Sequence, residues 1–270
     1  IILNYPAQST ISADTTLRNP YFRSILQYAN PDILVSQEVT GQNGVDFFLN
    51  NVLNANGNNY SAGLFINGFD SDNAIFFKTS KFTFVSNTPI ETDLRDISEF
   101  KLVHILSGDT IRIYSVHLKA SNTAPDEAQR ALEVDTLRKY TNQLPAGSNF
   151  IVCGDFNFYR SSESAYQKLL AVTPGVEGHF IDPITMSGTW NNSIYSQYHT
   201  QSPRVRAFGG GSTGGLNDRF DLVLFSNAMM QSGGISYVSG STFPLGNDGQ
   251  HYNDSINQQP NTAVPANIAD

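Results

Sequence analysis

The stretch NFIVCGDFN, residues 149–157, is the most informative part of the sequence, because it joins a predicted buried strand to a polar turn. The apolar run before Gly154 has no polar alternation, which is typical of a buried strand. In an extended chain Asp155 and Asn157 would share one face, while Phe156 between them faces the core. A carboxylate beside an amide oxygen suits a hard divalent cation and a phosphate. Taken alone, the stretch favours an ordinary strand-to-loop turn, so its interpretation depends on the rest of the chain.

Length and composition predict one ordered domain. The chain has 270 residues, 40% of them apolar, with 18 Phe and 12 Tyr, which is ample for a sizeable core. It has no Pro-rich or charge-block linker and no repeat of fixed period, so we expect a single domain over residues 1–270. Its apolar runs are too short for a membrane span. The formal charge of −8 argues against a broad basic face for nucleic acid, but it allows local phosphate binding through a cation.

The amino-acid composition indicates the cellular compartment of the protein. Few Lys and Arg residues and many Asn, Ser, Thr and Gly residues favour a secreted or periplasmic protein. The single Cys153 lies inside the apolar run, where packing is its more common role, and one cysteine leaves the redox compartment open. Ile1 already lies in a strand pattern, so we expect the start to be cut and an upstream targeting segment to have been removed.

Strand and helix patterns alternate along the chain, with polar residues at strand ends, where open α/β sheets place their sites. We predict strands at 1–5, 33–35, 60–65, 73–77, 82–86, 101–106, 110–117, 150–153 and 221–225, and helices at 19–29, 45–53, 126–143 and 161–170. The turn at Gly108 predicts an antiparallel hairpin. Residues 173–215 have no clear pattern. Within them Arg204 and Arg206 could bind a phosphate, although solvated loop residues are the more common case.

Other polar residues lie at the ends of predicted strands. Glu38 is a candidate metal ligand, although a lone Glu there is more often a solvated terminus. His117 ends the strand at 110–117, and a lone His is equally well a structural residue. Asp221 begins a late hydrophobic strand, and Asn4 lies at the end of the first one.

Four short segments occur in one order: Gln37-Glu38, Val116-His117-Leu118, Gly154-Asp155-Phe156-Asn157 and Arg219-Phe220-Asp221. Together they resemble the endonuclease/exonuclease/phosphatase superfamily, which includes DNase I, apurinic endonucleases, sphingomyelinases and inositol polyphosphate phosphatases. The resemblance spans nearly the whole chain, which we interpret as a bacterial, secreted-type member. It implies an α+β fold, a four-layered αββα sandwich of two packed mixed β-sheets flanked by helices. It also implies divalent-cation-dependent hydrolysis of a phosphoester.

The resemblance implies which residues of this chain would bind the cation. Glu38 resembles the principal metal-binding carboxylate, and Asn4 is the candidate for a second metal-side residue. In-line displacement at phosphorus needs charge neutralised on the phosphoryl oxygens and a water deprotonated opposite the leaving oxygen. Oxygen ligands without a Cys or His cluster favour Mg²⁺ or Mn²⁺ over zinc.

It also implies catalytic roles. Asp155 matches the residue that orients or deprotonates the attacking water. Asn157 would steady the phosphate or the leaving group, and His117 would hydrogen-bond a non-bridging phosphate oxygen. Asp221 would be the carboxylate at the head of the late strand.

One family element is missing. Members end with a Ser-Asp-His triplet before the last core strand, and residues up to Asp270 do not contain it. His251 is the only late histidine, and its Gly, Asn and Asp neighbours predict a surface loop, so the role is not transferred to it. We therefore expect a fragment truncated at both ends. The alternative is a catalytically inactive member that acts as a secreted binding or assembly module.

The substrate class stays open among nucleic acid, a lipid head group and a small molecule. The acidic charge weighs modestly against processive binding to nucleic acid. A carbohydrate-binding β-sandwich would fit the Tyr and Asn content, but it would not explain the helix at 126–143.

Overall fold

Two β-sheets with helices outside them make up the chain, which a computed structural model describes over residues 2–5, 15–68, 70–201, 215–231 and 233–269. The strands are β1 (Ile2–Tyr5), β2 (Ile33–Val39), β3 (Tyr60–Ala62), β4 (Asp72–Lys78), β5 (Phe82–Ile90), β6 (Ile97–His104), β7 (Thr110–His117), β8 (Asn149–Asp155), β9 (Phe180–Ile181) and β10 (Asp221–Ser226). The helices are α1 (Thr15–Ala29), α2 (Gln42–Phe48), α3 (Ala124–Thr141), α4 (Ser164–Leu170) and α5 (Ala266–Ala269), with a π-helical turn at Leu49–Leu53 and 3₁₀ turns at Ser193–Tyr198 and Asn227–Met230.

Both sheets are mixed. The first has the strand order β1-β2-β4-β3 and the second the order β5-β6-β7-β8-β10-β9. β1 pairs with β2 and β7 pairs with β8 in parallel, whereas the other pairs are antiparallel. The predicted hairpin around Gly108 is confirmed, because β6 and β7 pair antiparallel across it.

Three apolar clusters separate four layers. One lies between the first sheet and the helices α1 and α2, and includes Leu26, Val45, Phe48 and Phe76. A second joins the two sheets and includes Ile75, Phe77, Phe100, Ile113 and Phe225. The third lies between the second sheet and the helices α3 and α4, and includes Val134, Leu137, Phe150, Val152 and Leu169. The predicted α+β sandwich of four layers is confirmed.

Several predicted boundaries are wrong. α1 begins at Thr15 and contains Pro20, although the sequence predicted a start at Asn19. The polar residues before Asn19 supply the first turns, and a proline this near the start removes only one backbone hydrogen bond. β2 continues to Val39 instead of ending at Val35.

Some sequence features need separate mention. Arg204 and Arg206 lie outside the described residues. Of the segment at 173–215, the described parts contain β9 and one 3₁₀ turn. Within the described residues, no helix combines the length and the hydrophobicity that a membrane span requires.

Candidate active site

Three neighbouring strands of the second sheet place polar side chains in one row. His117 lies opposite Asp155 in the parallel pair β7–β8, and Asp155 lies opposite Asp221 in the antiparallel pair β8–β10. Alternate residues of a strand share a face, so all three lie on the face that packs toward the first sheet through Ile113 and Phe225. Opposite residues of an antiparallel pair have Cβ atoms about 4.5–5.5 Å apart. The two aspartates are therefore close neighbours.

Glu38 faces this row from the first sheet. It lies inside β2, where the register with β4 shifts between Ser36 and Val39, and its backbone is left-handed with φ 60°. That conformation costs a non-glycine residue on the order of 1–2 kcal/mol, and a bulge of this kind re-aims a side chain. His117 Nε2 lies 3.9 Å from Glu38 Oε1 and 3.9 Å from Asp155 Oδ2. The structure thus brings Glu38, His117 and Asp155 to one point.

Asn157 reaches the site by a turn and not by strand alternation. β8 ends at Asp155, and Asn157 has a left-handed backbone with φ 53°, so the expected shared face of an extended chain is wrong. The Asn157 backbone N–H donates to Asp155 Oδ1 at 2.9 Å, and its side-chain nitrogen donates to the carbonyl of Leu118 at 3.2 Å. Asn157 therefore holds one oxygen of Asp155 and links the loops that follow β7 and β8.

Gly154 lets β7 and β8 approach at this point. Its φ is 134°, and a Cβ atom built there would lie 2.0 Å from the carbonyl oxygen of Val116. Any side chain at this position would push the two strands apart just before His117 and Asp155. The glycine of the motif therefore has a steric role.

Burial and like charges control the titration of the carboxylates. Burial raises the pKa of Asp155 to about 7, with a further contribution from Asp221 and a smaller one from Glu38. Burial also raises the pKa of Asp221 and that of Glu38 above their ordinary values. Burial and the charge of Arg95 lower the pKa of His117 to about 4, so its imidazole is neutral at pH 7.

Arg95 is a charged residue that influences the site electrostatically and that the sequence analysis missed. It lies between β5 and β6, and its Nη2 is 2.8 Å from Asp70 Oδ2. Its Nη1 is buried and has no hydrogen-bond partner among the described residues. Its positive charge lowers the pKa of Asp155 and of His117. An isolated arginine between acidic residues has no sequence signal for such a position.

A buried polar network behind the site was also missed. Gln37 Nε2 donates to Ser115 Oγ at 2.9 Å, and Ser115 Oγ donates to Asn73 Oδ1 at 2.8 Å. Gln37 precedes Glu38, and Ser115 lies on the same strand face as His117. The network therefore joins the two sheets next to the residues that the site brings together.

The remaining candidates lie in different surroundings. β1 pairs with β2 with Tyr5 opposite Val39, which puts the backbone of Asn4 beside the bulge of Glu38. The role of Asn4 as a metal-side residue stays a prediction. His251 is only 4% exposed, and its Nε2 lies 3.3 Å from Asp248 Oδ1, so the expected surface loop is wrong for this side chain.

The donor chemistry of the site fits a hard cation. Asp155, Asp221 and Glu38 supply carboxylate oxygens, and burial raises the pKa of each because the charged form loses its hydration. Among the described residues no three His, Cys, Asp or Glu side chains converge into a closed metal cage. A cation held by one or two carboxylates, with water completing its shell, suits Mg²⁺ better than zinc.

Solved structures of other proteins share the fold of this chain. No curated protein sequence matches the chain. D. rerio TDP2 complexed with single strand DNA product has a TM-score of 0.53 and 15% identity, over 84% of this chain and 89% of that chain. The mannosyl-6-phosphatase of Bacteroides thetaiotaomicron has a TM-score of 0.53 and 20% identity, over 84% and 83%. An endonuclease/exonuclease/phosphatase family protein of the same bacterium has a TM-score of 0.56 and 17% identity, over 84% and 81%.

Identities this low show a shared fold and no more. The sequence profile described as the Endonuclease/Exonuclease/phosphatase family, however, matches residues 13–241 of the chain. That range contains His117, Asp155, Asn157 and Asp221 in their expected order, together with Glu38. On this match and on the fold, the chain belongs to the endonuclease/exonuclease/phosphatase family.

Proposed function

We propose that this chain is a divalent-cation-dependent phosphoester hydrolase in which Asp155 deprotonates the attacking water. The observation that carries the proposal is the convergence of His117 on both Glu38 and Asp155, at 3.9 Å each, beside Asp221. Three buried or half-buried carboxylates around one neutral imidazole form a pocket that needs a cation, and a phosphoester with its metal supplies one.

Asp155 has the geometry of a general base. Its Oδ1 accepts a hydrogen bond from the Asn157 backbone N–H, which leaves Oδ2 to receive a proton. Oδ2 is 3.9 Å from His117 Nε2, which is longer than a hydrogen bond and leaves both atoms available to a water and a phosphate. A pKa of about 7 makes the ionised carboxylate an effective proton acceptor near neutral pH.

His117 and Arg95 supply hydrogen-bond donors for the phosphate. Because the pKa of His117 is about 4, its ring is a neutral donor at pH 7 and does not act as a cation there. Arg95 Nη1 has no hydrogen-bond partner among the described residues, and it is the donor of this chain that we assign to a phosphate oxygen. The side-chain nitrogen of Asn157 donates a hydrogen bond to the carbonyl of Leu118. We therefore assign Asn157 two roles, which are to hold the loop after β7 and to orient the leaving group.

Glu38 would hold the cation, with Asn4 as the neighbouring candidate on β1. When bound, Mg²⁺ or Mn²⁺ neutralises charge on the phosphoryl oxygens. Asp221 lies directly opposite Asp155 and raises the pKa of that base.

The substrate is a phosphoester whose class is not selected by the fold. The structural neighbours include a mannosyl-6-phosphatase and TDP2 with a single-stranded DNA product. The net charge of −8 favours substrates smaller than long nucleic acid. A secreted or periplasmic location is part of the proposal and rests on composition.

The proposal is tested by hydrolysis of bis-p-nitrophenyl phosphate and p-nitrophenyl phosphate by the full-length protein with Mg²⁺, with Mn²⁺ and with EDTA. Asp155→Asn should lower kcat by roughly 10³-fold, within the usual range for a general base. Asp135→Asn is the matched control, because Asp135 is a half-exposed carboxylate on α3 that pairs with Lys168. Turnover that survives in EDTA, or in Asp155→Asn, would overturn the proposal.

A second arm measures binding without chemistry. Calorimetric titration with Mn²⁺ should show one site that Glu38→Gln weakens at least tenfold and Asp135→Asn leaves unchanged. Arg95→Ala should raise KM about tenfold, the usual weight of a charged hydrogen bond. Its control is Arg112→Ala, since Arg112 is similarly exposed but lies on the opposite face of β7 from His117. Mn²⁺ binding without turnover would favour the inactive binding module.

A further inference from the structure

A buried ion pair lies behind the site and is not part of its chemistry. Arg130 of α3 and Glu163, the residue before α4, both have side chains that are 0% exposed. Arg130 Nε and Nη2 donate to Glu163 Oε2 at 3.0 and 2.7 Å. Two paired donors on one carboxylate oxygen fix the orientation of both side chains.

The pair reaches both loops of the site. Arg130 Nη1 donates to the carbonyls of Lys119 at 2.8 Å and Ser121 at 2.6 Å, in the loop that follows His117. The other oxygen of Glu163 accepts the backbone N–H of Tyr159 at 2.7 Å, in the loop that follows Asp155. One charged pair therefore ties together the chain segments that leave β7 and β8.

Other contacts show that these loops act as one unit. Leu118 donates its backbone N–H to the carbonyl of Asp155 at 2.9 Å, and Asn157 donates to the carbonyl of Leu118 at 3.2 Å. Glu133, one turn after Arg130 on α3, accepts the backbone N–H of Lys119 at 3.1 Å. α3 thus anchors the first loop directly and the second through Glu163.

Stability alone does not require charges here. α3 is already held against the second sheet by Ala131, Val134 and Leu137, which belong to the cluster on that side. A buried ion pair is often no more stabilising than apolar residues of the same volume, because both charges lose their hydration. The pair adds directional hydrogen bonds, which fix the orientation of the two loops more narrowly than apolar contacts do.

We propose that Arg130 and Glu163 are positioning residues that set the separation of His117 and Asp155. The inference rests on the proposed function for its catalytic consequence, but the geometric claim does not depend on turnover. A displacement of about 1 Å in such a site can lower the rate roughly 10²-fold. Both side chains are fully buried and contact the two loops, so we assign the pair an effect that acts through the loops.

The test compares two buried arginines on the same helix. The double variant Arg130→Met/Glu163→Met removes the pair without leaving either charge unpaired. The control is Arg138→Met, because Arg138 is also buried on α3 but donates to the carbonyls of Lys168, Leu169 and Ala171 at the end of α4. Arg130→Lys, which keeps a charge, serves if the double variant does not fold.

We expect the double variant to lower kcat by 10- to 100-fold with KM within about threefold of the parent. Arg130→Lys should be intermediate, and Arg138→Met should keep kcat within twofold at a similar loss in Tm. Amide hydrogen exchange in peptides that cover residues 118–123 and 156–163 should be at least tenfold faster in the double variant than in Arg138→Met.

Parental kcat in the double variant, or equal exchange in both variants, would overturn the positioning role and leave the proposed hydrolase intact. An equal loss of kcat in Arg138→Met would also overturn it, because the effect would then be general destabilisation. If the parent itself has no turnover, the hydrolase proposal fails, and the exchange comparison alone decides the role of the pair.

Discussion

Asp155 and Glu163 are both buried carboxylates near the end of the second sheet, but the protein compensates them differently. Glu163 meets Arg130 at 2.7 Å and accepts the Tyr159 N–H, so every charge around it is matched. The carboxylate of Asp155 accepts the Asn157 N–H and faces Asp221, and burial together with the charge of Asp221 raises its pKa to about 7. Charges that hold the loops are neutralised within the fold, whereas the carboxylates at the sheet edge face one another.

The same contrast extends to Arg219 and Asp221, which are two residues apart. Arg219 forms two hydrogen bonds to Asp182, with 1% and 3% of the two side chains exposed. Asp221 lies in the row with Asp155, and burial raises its pKa. The segment 219–221, where β10 begins, therefore carries one charge that is paired inside the fold and one that lies in the candidate site. Uncompensated charges of this kind lower the stability of a fold and mark functional sites.

The largest stability effect should come from breaking a matched pair. Asp182→Ala leaves the buried Arg219 without its carboxylate and removes the acceptor of the Tyr166 hydroxyl, which lies 2.8 Å away. We expect a loss of about 3–5 kcal/mol in unfolding free energy. Urea unfolding measures it, and Arg219→Met added to Asp182→Ala should recover part of the loss. A loss below about 1 kcal/mol would contradict the claim that this pair is tightly matched.

Removing an uncompensated charge should raise the free energy of unfolding instead of lowering it. The folded-state pKa of Asp155, about 7, lies above the ordinary value of 3.8, so its contribution to stability is present below pH 3.8 and is lost as pH rises through 7. Asp155→Asn in EDTA should therefore be more stable than the parent above pH 7, by up to roughly 4 kcal/mol, because each pH unit of the shift is worth about 1.4 kcal/mol.

Unfolding curves at pH values from 4 to 8 test this sign. The gain should disappear toward pH 4, and Asp135→Asn, which removes a half-exposed carboxylate paired with Lys168, is the control variant. A pH-independent difference for Asp155→Asn would mean that its carboxyl is not an uncompensated charge.

A smaller effect distinguishes the neighbours of Asp155. Asp221 contributes more than Glu38 to the raised pKa of Asp155. Asp221→Asn should lower that pKa toward its ordinary value, because it removes the neighbouring negative charge. Glu38→Gln should lower it by less. Carboxyl ¹³C chemical shifts of the cation-free protein report both midpoints, and the reverse order would place Glu38 closer to the base than the strand register implies.

The smallest effect should come from an exposed pair. Lys168 Nζ lies 2.5 Å from Asp135 Oδ2, but 37% and 43% of the two side chains are exposed. Lys168→Ala should cost about 0.5 kcal/mol, because water already solvates both charges. Thermal unfolding at low and high salt measures it. A loss as large as that of Asp182→Ala would show that burial is not what separates these pairs.

The sequence was informative where the signal is local. Short apolar runs predicted a strand that ends at His117, a strand over 150–153 that stops before Asp155, and a strand that begins at Asp221. The structure confirms the first and the third, whereas β8 continues to Asp155. Their functional roles, and those of Glu38, Asn157 and Asn4, remain predictions. Local patterns failed at Glu38, because the bulge that carries it depends on pairing with β4.

Pairing between distant side chains was invisible to the sequence. Arg130 and Glu163 are 33 residues apart, and Gln37 and Ser115 are 78 residues apart. No periodicity or motif in the sequence links the two members of either pair. An arginine on a helix and a glutamate before one are usually solvated, so nothing indicated that Arg130 and Glu163 would be buried together. Arg95 was missed for the same reason, because its position depends on where the β5–β6 connection meets the site.

The sequence alone predicted most of the strands and helices in order, the family through four short segments, and the positions of His117 and Asp221 at strand termini. It could do so because apolar periodicity and turn chemistry act over a few residues. Three arrangements became visible only in the tertiary structure. His117, Asp155 and Asp221 lie in one row, and Glu38 lies close to that row from the other sheet. Side chains of α3 hydrogen-bond to the loop after β7 directly and are linked to the loop after β8 through Glu163. These arrangements depend on strand register and sheet packing, which join residues far apart in the chain.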